Sequence, residues 1–132
     1  MDTPITYWEG FPVEGDTHEL DFIVETAGML ALDKNDILAT LSPEGGNYIA
    51  TGIGQTLGDA FKSAKDSLPI ALADAERMII HFIMGTHQPD VSEIGEVVKK
   101  LGDNNRQSII WGISSDSAIG ENTKVSIIIS TK

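Results

Sequence analysis

The sequence predicts one α/β domain, a two-layer α+β sandwich in which a four-stranded mixed sheet is backed by two helices. Three observations lead there. Strand-like and helix-like patterns alternate along most of the chain in the order α-β-α-β-α-β-β. Arg77–Met84 is a nearly continuous apolar run of strand length, which suits a central strand covered at least in part on both faces. Two amphipathic stretches open with capping-box patterns, Thr56 with Asp59 and Asp90 with Glu93. At 132 residues the chain is one domain's worth, with no repeat, low-complexity tract or internal linker.

Each element has a local reason. Residues 1–20 are punctuated by Pro4, Gly10, Pro12 and Gly15 and carry the aromatics Tyr7, Trp8 and Phe11. They are read as an acidic, aromatic N-terminal arm, docked on the domain or reaching a partner, and 21–132 as the domain proper. Leu20–Val24 is a short apolar stretch that suits a helix end or a strand. Asp33–Leu41 predicts a short helix with Asp33 or Asn35 as its cap, stopped by Pro43 and Gly45-Gly46. Asn47–Gly54 predicts a strand ending in glycines. Leu57, Ala60, Phe61, Ala64 and Leu68 repeat at helical spacing after Thr56, and Pro69 limits that helix. Val91, Ile94, Val97, Val98 and Leu101 form a second apolar stripe, with Gly102 as its stop. Ser108–Ile113 and Lys124–Ser130 close the chain as strands, with polar Ser114–Asn122 read as a long hairpin connection.

Composition narrows the function. Hydrophobic residues make up 41% and charged ones 22%, enough for a packed core. Twenty acids against nine Lys and Arg give a net charge of −11, which argues against nucleic acid and against anionic membrane surfaces. Residues 1–33 hold eight of the acids and no base. No apolar run approaches the roughly 20 residues of a membrane helix, and the acidic start lacks the pattern of a secretory signal, so a cytoplasmic location is expected. With no Cys, disulfides, thiolate nucleophiles and Cys-based zinc sites are excluded.

The residues able to carry chemistry are few. Gly52–Gly58 has the spacing G-x-G-x-x-x-G, one residue too long for a dinucleotide fingerprint, so packing is the stronger reading of these glycines. No P-loop pattern occurs. His81, mid-strand, reads as a core or sheet histidine; His87 and Asp90 in one loop are too few for a metal site, and no metal is expected. No serine sits in a nucleophile elbow. Asp33 and Asp36 stand three apart at a helix start, a spacing that points both carboxylates to one side. Helix capping explains that pair; presentation of two acids to water or a cation on a partner also does.

The stretch Gly28-Met29-Leu30-Ala31-Leu32-Asp33-Lys34-Asn35-Asp36-Ile37, followed by Gly52-Ile53-Gly54, resembles the FtsZ/tubulin GTPase superfamily, at the loop and helix that join its two halves. Arg77–Gly85, Val91–Leu101, Ser108–Gly112 and Lys124–Thr131 are similar, in order and spacing, to the elements of the family's C-terminal domain. The resemblance covers roughly residues 26–132. It implies that Asp33 and Asp36 match the two acids that complete a neighbour's GTPase site in trans, while Ala31 stands where the family has asparagine.

These 132 residues contain no G-G-G-T-G-[ST] phosphate loop, so GTP binding and hydrolysis by this chain alone are not expected. The implied role is a polymer interaction module that presents Asp33 and Asp36 to GTP on an FtsZ/tubulin-type partner and caps or limits filaments. The alternative is an independent module on the same fold that pairs with copies of itself or takes a small ligand.

Overall fold

The structure, a computed structural model, describes residues 5–25, 34–86, 91–100 and 108–131. Six strands form one sheet: β1 (Ile5–Trp8), β2 (Phe11–Glu14), β3 (Asn47–Gly54), β4 (Arg77–Met84), β5 (Ser108–Ser115) and β6 (Thr123–Ser130). Four helices accompany them: α1 (His18–Glu25), α2 (Lys34–Thr40), α3 (Leu57–Ser67) and α4 (Val91–Lys100). The strand order is β1-β2-β3-β6-β4-β5.

Three features of the expected fold are corrected. The sheet has six strands rather than four, because the segment set apart as an arm supplies a hairpin. Glu9 and Gly10 both adopt positive φ, 50° and 87°, as a tight two-residue hairpin turn requires. Phe11–Glu14 then lies beside β3, in register at Glu14 with Tyr48. Trp8 is buried, and its Nε1 donates to Asp21 Oδ1 at 2.9 Å, fastening the hairpin to α1.

Nor is the fold two-layered. Alternate residues of β4 and β6 enter separate cores on opposite faces of the sheet. Met78, Ile80, Phe82, Val125, Ile127 and Ile129 pack with α3 and α4, whereas Ile79 and Ile128 pack with α1 and α2. Strands covered on both faces have no solvated side on which to place polar residues, hence the nearly unbroken apolar run of β4.

The last two strands are not a hairpin. β5 pairs in parallel with β4, and β6 passes over β4 to lie antiparallel between it and β3. The polar connection suits either path, but of the two last strands it is β6, VSIII in its middle and fully buried, that belongs in the centre. Locally the expected elements form as their residues dictate. Thr56 caps α3 by accepting from Asp59 N at 3.1 Å, and Leu57, Ala60, Phe61 and Ala64 are the buried stripe. The Gly102 stop of α4 lies outside the described residues.

Candidate functional site

Of the two predicted acids, the described residues include Asp36, near the start of α2. Asp33, like Ala31 before it, lies outside the described residues, as do His87 and Asp90. Asp36 sits in the first turn of α2, half-buried, and its carbonyl oxygen accepts from Thr40 Oγ1 at 3.1 Å. The helix has seven residues, too few to persist alone, so tertiary contacts position it. Ile37 is fully buried against Ile79 and Ile128, and Leu41 follows it into the same core. Next to Asp36, Lys34 Nζ meets Glu9 Oε1 at 3.0 Å, so the hairpin turn and the start of α2 share one surface. Both partners are about half exposed, 50% and 46%, and the pair contributes little stability.

Asn47 secures the far end of α2. Its Oδ1 accepts from Ser42 N at 2.8 Å, and its Nδ2 donates to Ser42 O at 2.7 Å and to Pro12 O at 2.9 Å. One buried amide thus closes the α2–β3 connection and ties β2 to it. Sequence reasoning passed over this residue, and its only local signal is an Asn placed just after Gly45-Gly46 at a strand start.

The glycines of Gly52–Gly54 are packing residues. A Cβ on Gly52 would collide with Ala60 O and Ala64 N, and one on Gly54 would come within 2.7 Å of Asp59 Cβ, so α3 rests directly on β3.

On the α1/α2 face, beyond the Ile79–Ile128 contact, the sheet turns polar. Thr51 Oγ1 and Ser126 Oγ are 3.1 Å apart, and His81 Nε2 and Ser114 Oγ 2.7 Å. Thr51, Ser126 and His81 stand side by side in register across three strands. Burial, with the nearby charge of Lys124, lowers the His81 pKa from 6.5 to about 4, so the imidazole is neutral at physiological pH. Lys124 is itself largely buried, bridged to Glu19 at 2.9 Å and stacked over the Phe22 ring at 4.4 Å. His81 and Ser114 have the geometry of a base and a nucleophile, but both are fully buried, which closes them to a substrate. Among the described residues no group of three or more His, Asp and Glu could hold a metal ion, and no helix is long and apolar enough to cross a membrane.

No family model matches the chain, and no curated protein matches it. Solved structures do. An FtsZ dimer from M. jannaschii superposes with a TM-score of 0.67 at 22% identity, over 83% of this chain and 34% of that one. A W319Y mutant of M. jannaschii FtsZ gives 0.65 at 23%, over 84% and 35%. TubZ from Bacillus thuringiensis serovar israelensis, in its GDP-form protofilaments, gives 0.64 at 19%, over 86% and 33%. The chain thus spans about a third of the length of the structures it matches. Its mixed sheet and helices have the fold of part of an FtsZ/tubulin-like subunit, the resemblance that the joining-loop and strand motifs carried.

Proposed function

We propose that these residues act as a polymer interaction module of the FtsZ/tubulin type, corresponding to the C-terminal domain and its joining loop. In this reading Asp33 and Asp36 face GTP held by a partner subunit, where two carboxylates orient the attacking water and receive its proton. The observation that supports it is a likeness in fold to proteins solved as a dimer and as protofilaments, over 83% and 86% of this chain. The anchoring of α2 through Ile37 and Asn47 is what such a role needs, since a catalytic acid must be held within a fraction of an ångström by rigid neighbours. The chain itself needs no bound cofactor; the nucleotide belongs to the partner.

A second reading, self-association, is favoured by a different observation. Ile5 and Tyr7 are 57% and 72% exposed on one face of β1, apolar surface of the kind that another copy would cover.

Phosphate release and filament pelleting by an FtsZ-type GTPase from the same cell, with and without the chain, test the proposal. A dose-dependent change that disappears in the Asp33→Ala/Asp36→Ala variant is expected. Unchanged turnover together with no co-pelleting overturns it. A dimer that persists on dilution in light scattering supports the second reading instead.

A further inference from the structure

The sheet carries an unfinished edge. β2 meets β3 at one register pair, Glu14 with Tyr48, whereas β6 accompanies β3 from Asn47 to Gly54 on the other side. The chain turns away at Gly15, whose φ is 124° and whose backbone lies so close to the Ile49 carbonyl that any Cβ would collide. From Ala50 to Gly54, therefore, the outer side of β3 meets no strand among the described residues. Five residues at about 3.3 Å each make roughly 17 Å of free edge, along which alternate residues turn N–H and C=O outward. Such an edge is a template for another strand, and proteins normally guard it with Lys, Pro or a bulge. Here Thr51, Gly52, Ile53 and Gly54 offer none of these, and Ile53 is 54% exposed.

A groove of about 230 Å³ lies against this edge, with Glu14, Asp16 and Glu19 among its lining residues and no Lys or Arg. Glu19 is engaged by Lys124. Asp16, exposed, accepts from His18 N at 3.0 Å with one oxygen, and Glu14, half-buried, has no side-chain partner among the described residues. The groove is left with two uncompensated carboxylates beside unpaired backbone.

We propose that the Ala50–Gly54 edge of β3 takes an extended, Lys- or Arg-bearing peptide segment as an added strand. Backbone pairing supplies the affinity, and Glu14 and Asp16 select the basic partner. A second copy of the chain is a poorer occupant, because it brings its own acidic groove and a net charge of −11 to the contact.

The test uses the 132-residue chain and a labelled nine-residue peptide of three Lys-Val-Thr repeats, followed by fluorescence anisotropy. Companion peptides carry Glu for Lys, or N-methyl groups on the odd or on the even residues. The Lys peptide is expected to bind at least about tenfold more tightly than the Glu peptide, and more weakly as salt is raised. One N-methylated peptide loses about tenfold or more while the other keeps its affinity, since only alternate amides of an added strand face the sheet. Amide exchange slows at Ala50–Gly54. The Glu14→Gln/Asp16→Asn variant, in which the amide oxygen of Asn still accepts from His18 N, binds about fivefold less tightly with unchanged Tm. No binding of the Lys peptide at about 1 mM, equal binding of both N-methylated peptides, or protection elsewhere overturns the proposal. So does slowing of the same amides with protein concentration alone, which assigns the edge to a second copy.

Discussion

The two faces of the central sheet are built on different terms. Toward α3 and α4, every inward residue of β4, Met78, Ile80, Phe82 and Met84, is apolar, and Phe82 stacks on Trp111 with ring centroids 5.8 Å apart. Toward α1 and α2 the same strand places Ile79 in an apolar core but His81 beside Ser114 and Ser126. The first face is held by apolar burial, which is indifferent to pH. The second adds a buried polar row and an ion pair, Lys124 with Glu19, whose contribution depends on protonation and on every partner being in place. The face that carries the short helix with Asp36 is thus the one with the more exacting chemistry.

The adjacent residues Ile79 and Ile80 separate the faces most sharply. Both are fully buried, on opposite sides. Ile80→Ala and Ile79→Ala are each expected to cost about 2–5 kcal/mol in urea unfolding. A loss well under 1 kcal/mol for Ile79→Ala alone would break the claim that the α1/α2 face has a core of its own.

Acid comes next. His81 has a pKa of about 4 in the folded chain against 6.5 unfolded, so the unfolded chain takes up the proton first as pH falls. Stability is expected to be full well above pH 6.5, to decline as pH falls from 6.5 to about 4, and to lose roughly 3 kcal/mol over that window. Melting curves of the His81→Gln variant should lack this slope. An identical slope in the variant would place the acid sensitivity elsewhere.

Smaller effects sharpen the picture of α3. Gly52→Ala forces a methyl against Ala60 and Ala64 and should cost about 1–3 kcal/mol by denaturant unfolding, on the apolar face only. Thr56→Ala removes the cap bond to Asp59 N and should cost about 1 kcal/mol, read as a lowered Tm.

Much of this was legible in the residues. The run 77–84, the Thr56–Asp59 cap and the stripe Leu57, Ala60, Phe61 and Ala64 are local patterns, and they formed where expected. His81 was read as a core or sheet histidine, and of those two it is the buried one. The hairpin was hidden because Pro12 and Gly10 look like punctuation. Pro12 is tolerated since β2 pairs with β3 only at Glu14, so the missing N–H breaks no ladder bond there. The bonds of Asn47 to Ser42 and Pro12 could not be read either, since Pro12 is 35 residues away. Of the candidate site, Asp36 has its place at the start of α2 and Asp33 lies outside the described residues.

By itself the sequence determined which segments from Lys34 onward become the main strands and helices, and which side chains on each are apolar. Those properties follow from periods of two and 3.6 and from caps a few residues long. It also determined the charge, with eight acids and no base in the first 33 residues. Only the tertiary structure decided that β6 inserts between β3 and β4, that a hairpin extends the sheet, and that helices cover both faces. Strand order is chosen by burial summed over contacts distant in sequence: β6, buried on both sides, gains most at the centre, and no local pattern records that comparison.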